Sequence, residues 1–300
     1  MTRRNTMRGG AAASLRALWQ PGIRKLLFIL SVTQLTGWGT LYYSFSLFAE
    51  PIQETLGWSR TWIQSAVTAA FVAWGCASPV VGHLLSQYGG RPVMTAGSLL
   101  GGIGLMAWAL WPAYKGVYIA SWLAVGIAMS MALYEPAFAV LVRSVEEHYK
   151  AAITALTLVG GLASTLFMPL IQSVIDAWGW QAAILGLAGA NLLVCAPLHA
   201  WGLPARRATE EDVSGERSED EEQGAVLDLH LFREPDFKPW IFAGLALWFT
   251  LFQAASAALT FLLVPVLTAL EVRMSTILLC VVSIGPMQVV GRALLLGNRA

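Results

Sequence analysis

The chain has 300 residues, 56% of them hydrophobic and only 12% charged, with a mean hydropathy of +0.61 and a net charge of +1. Soluble domains carry about 25% charged residues, so this composition excludes a water-soluble globular domain, and the near-zero net charge leaves no field to recruit nucleic acid. The three cysteines, Cys76, Cys195 and Cys280, stand singly in apolar runs, a spacing that makes neither a metal site nor a disulfide framework; they read as small packing residues.

Taken in chain order, eight apolar runs reach the roughly 18 residues needed to cross a hydrocarbon core of about 30 Å. They cover 26–49, 61–85, 92–113, 117–142, 151–175, 179–203, 240–266 and 274–297. Backbone polar groups in lipid must be bonded within the protein, and runs of this length do so as helices. The chain therefore reads as an all-α polytopic membrane protein. The Arg-rich flank before the first run resembles that of a signal peptide, but the run is too long and no small-residue cleavage site follows it, so it is expected to be retained. Lysine and arginine set the orientation: with the N-terminus in the cytoplasm, sixteen of the nineteen fall inside and only Arg60, Lys115 and Arg273 outside. An acidic stretch, 204–238, separates six runs from two and is expected to be a cytoplasmic linker. The expected organisation is a six-helix bundle over 1–203, this linker, and the first two helices of a second bundle over 239–300.

The first run carries a polar stripe of Thr33, Gly37, Thr40 and Ser44, flanked by Gln34, Trp38 and Tyr42. Small and hydroxyl residues pack helices together, which suits Thr33 and Gly37, while Trp38 and Tyr42 suit the lining of a solute path. Between the second and third runs lies Gly82-His-Leu-Leu-Ser-Gln-Tyr-Gly-Gly-Arg91-Pro, a tight turn in which Gly89 and Gly90 permit positive φ. In the fourth run Glu135 is the one carboxylate inside the first six spans. A charge at the bilayer centre costs about 2.5–3.5 kcal/mol, so Glu135 either faces a cavity as a protonatable switch or pairs with a basic neighbour such as Arg91. Pro136 frees the carbonyl of Ala132, so a kink is expected there. The fifth run has a stripe of Thr154, Thr157, Gly161, Ser164 and Gln172, read as packing. In the eighth run Gln288 and Arg292 stand four residues apart on one face, and Pro286 frees the carbonyl of Val282. Arg292 either snorkels to a helix end or offers a guanidinium fork to a carboxylate. The tryptophans Trp58, Trp62, Trp178, Trp180 and Trp240 read as interfacial belts.

The turn at 82–91 resembles the signature loop of the major facilitator superfamily, Gly-x-Leu-x-Asp-x-x-Gly-x-Arg. Gly82, Leu84, Gly89 and Arg91 match it, and Ser86 stands where the family usually has Asp. The resemblance implies a gating role for Gly82, Ser86, Gly89 and Arg91, although the Ser at 86 lacks the charge for the family's relay. Within the superfamily the chain is similar to the monocarboxylate-porter branch through Gly57-Trp-Ser-Arg-Thr-Trp62, Ser78-Pro-Val-Val-Gly82 and His148-Tyr-Lys-Ala-Ala. Gly285-Pro-Met-Gln-Val-Val-Gly-Arg292 looks like that branch's Asp-x-x-x-Arg pair with Gln288 in place of Asp, and Ser46 stands where a first-helix lysine is usual.

The resemblance implies secondary transport of a small organic solute, a monocarboxylate-like anion with protons, by alternating access and without a cofactor; the short loops and compact linker suggest a bacterial inner membrane. Arg292, Gln288, Trp38 and Tyr42 become the candidate solute ligands and Glu135 the proton-coupling candidate. Such a transporter has two six-helix bundles, so eight runs are expected to be a fragment, and a transport-inactive fragment or a transporter-derived sensor is the alternative. An intramembrane enzyme is disfavoured, because His83, His148, His199 and His230 are scattered and no acidic pair lies in a run.

Overall fold

Apolar runs of spanning length satisfy their own backbone only as helices, and the described elements are helical throughout. The computed structural model describes residues 20–145, 148–205 and 239–297. Residues 1–19 of the Arg-rich flank, and the expected linker from residue 206 to 238, lie outside the described residues, as does the side chain of Arg292.

The first run is α1 (Pro21–Gly37), a first π-helical segment (Trp38–Tyr43) and α2 (Phe45–Leu56). Pro21 starts α1 at a position where its missing N–H costs nothing. Helix α3 (Arg60–Tyr88) begins on an N-cap in which the Ser59 hydroxyl accepts from the Trp62 N–H at 3.3 Å. Helix α4 (Gly90–Leu110) follows after one residue. The fourth run is split into α5 (Lys115–Ala132) and α6 (Tyr134–Val145). The fifth and sixth are α7 (Tyr149–Gly160), α8 (Ala163–Gly189), a second π-helical segment (Ala190–Cys195) and α9 (Ala196–Gly202). Two long helices, α10 (Pro239–Ala269) and α11 (Met274–Gly297), complete the described chain.

Among the described residues, five stretches are long and apolar enough to cross a membrane: Arg60–Tyr88, Gly90–Leu110, Lys115–Val145, Tyr149–Gly202 and Pro239–Ala269. The stretch Tyr149–Gly202 runs for 54 residues, more than twice the length of about 20 that one crossing needs. It is interrupted at Gly179, where φ is 82° and ψ 164°. Gly89, between α3 and α4, takes nearly the same conformation, φ 78° and ψ 175°. Only glycine enters this region without strain.

Helices in lipid associate through close packing rather than through exclusion of water. Along α4, side chains on Gly97 and Gly101 would strike Met131 and Ala128, and one on Gly104 would meet the Ser121 carbonyl. These small residues, four and three apart, let α5 lie directly on α4. Helix α3 also meets α5 closely: a Cβ on Gly126 would overlap the Ala70 carbonyl oxygen. Two larger apolar cores result, with a third small cluster of Val81, Leu85 and Val93. The larger contains Phe45, Phe48, Trp108, Tyr118 and Trp122, with Phe48 and Trp108 edge to face at 5.6 Å. Phe261 and Val264 of α10, and Ile277 and Val281 of α11, join it, so the last two helices pack on the first six runs. The smaller, at the end bearing Gly89, gathers Leu30, Met94, Leu141 and Leu156.

Three sequence expectations change. Cys195 is buried, but Cys76 and Cys280 are exposed and fill no packing gap. Trp58 and Trp180 are core residues rather than belt residues, since Trp58 packs on Tyr118 at 5.2 Å and the Trp180 indole N–H reaches the Thr55 hydroxyl at 3.3 Å. Trp178 and Trp240 are exposed, as belts require. Gln172 does not pack in the fifth-run stripe but donates to Asp176 at 2.7 Å.

Candidate functional site

The site grows out of the first π-helical segment. On the packing side of this run, Thr33, Gly37, Thr40 and Ser44 are all buried. The Ser44 hydroxyl donates back to the Thr40 carbonyl at 2.7 Å. The Thr40 hydroxyl accepts from Asn191 Nδ2 at 2.8 Å, so the two π-helical segments are joined by one buried bond. The other hydrogen of that amide goes to the Leu187 carbonyl at 2.9 Å. Gly39 stands where any side chain would overlap the Phe167 ring. These contacts fix the backbone of the segment and leave its other face half-buried against the larger core.

That other face carries Trp38 and Tyr42, both half-buried where their neighbours are buried. Their rings meet edge to face at 5.0 Å. Trp38 also touches Trp74 of α3 at 6.2 Å and Tyr134 of α6 at 4.8 Å. Tyr42 touches Phe71 of α3 at 6.0 Å and Phe261 of α10 at 5.0 Å. Four runs thus contribute rings to one cluster. Offset and edge-to-face rings of this kind are amphipathic, with a negative face, a positive edge and, for Trp and Tyr, a hydrogen-bonding tip. The indole N–H of Trp38 is buried with no hydrogen-bond partner in the structure.

Glu135 is in the first turn of α6, directly after Tyr134, and is exposed. A carboxylate at a helix N-terminus is stabilised by the helix dipole. The pairing with Arg91 is not formed among the described residues. The kink expected at Pro136 is a complete break: Leu133, with φ −85° and ψ −149°, separates α5 from α6. The freed Ala132 carbonyl accepts from Gln34 Nε2 at 2.8 Å.

Gln288 is half-buried on α11. This helix approaches α8 through Gly285, where a side chain would meet Thr165 and the Gly161 carbonyl. The carbonyl of Val282, freed by Pro286, accepts from the Thr165 hydroxyl at 2.9 Å. Proline-freed carbonyls in two different runs are thus satisfied by side chains of other runs, as lipid-embedded breaks require. Among the described residues no ring contact or hydrogen bond joins Gln288 to Trp38 or Tyr42.

The turn at 82–91 is held from outside. The Leu85 carbonyl accepts both the Gly89 N–H at 3.0 Å and Arg143 Nη1 at 3.0 Å, so the last turn of α6 caps the end of α3. Ser86 donates to the His83 carbonyl at 2.8 Å, and the Arg91 carbonyl accepts from Thr95 at 2.7 Å. Gly82 is exposed. A small cleft at the opposite end of the bundle is lined by Ser46, Glu50, Arg60, Val264, Pro265 and Thr268 and contains none of the candidate residues.

Sequence reasoning missed Trp74, Phe71, Tyr134 and Phe261 as partners of Trp38 and Tyr42, and missed Asn191 and Arg143. It also missed the buried pair of Ser98 and His199, whose Oγ and Nδ1 lie 2.9 Å apart between α4 and α9. A lone polar residue in an apolar run was the available signal for Asn191 and His199, and the Gly97–Gly101 spacing was the signal for the α4–α5 contact.

Comparison with known proteins places this geometry. The family description "Major Facilitator Superfamily" matches residues 27–298. Monocarboxylate transporter 11 of Homo sapiens is 30% identical over 143 residues, 48% of this chain and 29% of that protein. Monocarboxylate transporter 1 of Mus musculus is 31% identical over 137 residues, 45% of this chain and 27% of that protein. The oxalate:formate antiporter of Oxalobacter formigenes is 26% identical over 175 residues, 55% of this chain and 39% of that protein. The matched part therefore spans less than two thirds of each relative. With helices throughout, spanning runs and a family match over almost its whole length, the chain belongs to the Major Facilitator Superfamily of membrane transporters and is similar to its monocarboxylate transporters.

Proposed function

We propose that this chain serves the secondary active transport of a small organic anion, a monocarboxylate or short dicarboxylate, by alternating access. The reading takes its transport class from the superfamily membership and its anion from the relatives named for monocarboxylates, oxalate and formate. The observation that carries it to particular residues is the half-buried pair Trp38 and Tyr42, set among rings of α3, α6 and α10. In this reading the ring edges and the Trp38 N–H receive the anion's carbon chain and one carboxylate oxygen. Arg292, with Gln288 on the same helix face, supplies the opposing charge. Glu135 couples a proton to the movement, and Gly82, Ser86, Gly89 and Arg91 form the turn that the moving bundles close. The two-bundle organisation, with 1–203 as one bundle and 239–300 opening a second across the 204–238 linker, belongs to the same reading. So does an inner-membrane location with the N-terminus in the cytoplasm.

The test is made on the chain in lipid nanodiscs, following tryptophan emission while formate, oxalate and longer monocarboxylates are titrated. Trp38 and Trp74 lie within 6.2 Å of each other, so a bound anion there is expected to change emission saturably, and Trp38→Leu to remove the change. No saturable change with any carboxylate would overturn the reading. Flux is then measured in proteoliposomes. Uptake that is proton-dependent in the parent is expected to lose its pH dependence in Glu135→Gln; pH-dependent uptake persisting in that variant removes Glu135 from the mechanism. A second reading, a transporter-derived sensor, is favoured if binding is saturable and no flux occurs.

A further inference from the structure

The fourth run reads in sequence as one continuous spanning stretch, yet its helix stops at Ala132 and restarts at Tyr134. Proline alone does not explain so complete a break. Pro79, Pro169 and Pro265 all lie inside helices that continue through them. What distinguishes the break at Leu133 is one amide from another run bonded to two successive carbonyls; the Val282 carbonyl freed by Pro286 takes a single bond from Thr165 and its helix continues. Gln34 of α1 is fully buried, and its Nε2 donates both to the Ala132 carbonyl at 2.8 Å and to the Leu133 carbonyl at 3.2 Å. The return bond from the Ala137 N–H to the Leu133 carbonyl is long, 3.4 Å, so the helix itself holds this oxygen weakly. One turn along α1, a Cβ on Gly37 would lie 3.1 Å from the Leu133 side chain. One residue further, the Trp38 ring meets Tyr134 at 4.8 Å. Positions 34, 37 and 38 of the first run therefore grip positions 132, 133 and 134 of the fourth.

We infer that Gln34 is a positioning residue: its amide holds the fourth run open at Leu133, and this opening places Tyr134 against Trp38 and sets Glu135 exposed at the head of α6. Without the amide, the Ala132 carbonyl loses its donor and the Leu133 carbonyl keeps only the long bond from Ala137. Pro136 has no N–H to offer the Ala132 carbonyl, so the cheapest ways to satisfy them are to tighten or widen the turn onto a neighbouring N–H or to draw in another group. Either change rotates Tyr134 and Glu135, since each residue added to a helix turns those beyond it by about 100°. The inference bears on the transport reading because it names what orients two groups of that site, but it stands on the backbone geometry and is tested without any solute.

The test replaces Glu135 with cysteine in a Cys76→Ser, Cys280→Ser background, which removes the two exposed native thiols, and follows alkylation by a small thiol reagent in nanodiscs. Adding Gln34→Met, which keeps the volume but removes the donor, is expected to change the labelling rate at position 135 by about tenfold, the scale of one lost buried hydrogen bond. Gln34→His, which restores an N–H of similar reach, is expected to bring the rate back. If Gln34→Met does not yield folded protein, Gln34→Asn, whose amide is withdrawn by one methylene, is read in the same way. An unchanged rate in a folded Gln34→Met or Gln34→Asn protein overturns the inference, and so does a change that Gln34→His fails to reverse. A failure of carboxylates to perturb tryptophan emission, with the labelling result as expected, would instead remove the transport reading and leave the positioning role standing.

Discussion

Gly126→Val is expected to prevent assembly of the bundle. The Ala70 carbonyl of α3 occupies the position that a Cβ at residue 126 would take, and the Ala70 Cα and carbonyl carbon lie 2.9 and 2.8 Å from it. Backbone cannot move aside as a flexible side chain can, so α3 and α5 must separate. Overpacking in a tight core costs about 1–3 kcal/mol and occasionally more. Here the loss extends along the contact, because helices in lipid have little besides close packing to hold them together. Gly126→Ala is expected to act in the same direction with a smaller effect. Gly186 in α8, where a Cβ meets nothing within 4 Å, is the control. Gly186→Ala is expected to leave the thermal midpoint unchanged or raise it, since alanine favours a helix by roughly 0.5–1 kcal/mol over glycine. Melting curves in detergent decide the matter: a Gly126→Val protein that melts with the parent would show that α3 and α5 are not in backbone contact.

Arg292→Lys is expected to weaken carboxylate binding by about tenfold or more. A guanidinium meets a carboxylate through two parallel N–H bonds in a fixed plane, whereas an ammonium offers a single point charge with stronger hydration. Losing one charge-assisted bond is worth about 1.5–3 kcal/mol, and about 1.4 kcal/mol is a factor of ten. The measurement is the emission titration described above, run on parent and variant at equal ionic strength. An unchanged affinity would assign Arg292 to the membrane interface, where lysine snorkels as well as arginine. The paired variant Gln288→Ala separates a joint site from a lone cation. Non-additive effects are expected if both residues touch the anion, because neighbours sharing a ligand do not act independently.

Several parts of the site were legible in the sequence because they follow from local chemistry. Proline removes a donor four residues after a known acceptor. That arithmetic alone named the Ala132 and Val282 carbonyls as free, and both accept side-chain bonds from other runs. Periodicity put the stripe of the first run and its flanking Gln34, Trp38 and Tyr42 on one broad face, and Thr33, Gly37, Thr40 and Ser44 in it are buried. The donors were not legible. Gln34 and Thr165 lie far from their acceptors in sequence, and a glutamine in an apolar run looks the same whether it braces a break or lines a path. The aromatic cluster was hidden for a similar reason: Trp38, Trp74, Tyr134 and Phe261 come from four runs, and nothing in any one run states which neighbour it faces.

The sequence by itself determined that the chain is an all-helical membrane protein and which family it belongs to. Each of these rests on hydropathy over a spanning length, on glycine and proline at turns, or on a motif read in order. Only the tertiary structure decided which carbonyls find partners, that Arg143 caps the end of α3, and that Trp58 and Trp180 are core residues. It also decided that the break at Leu133 is braced from α1. In lipid every helix shows a similarly apolar surface, so the sequence of one helix scarcely specifies its neighbours. Close approach of small residues and a few buried polar bonds make that choice, and both depend on pairs of residues distant along the chain.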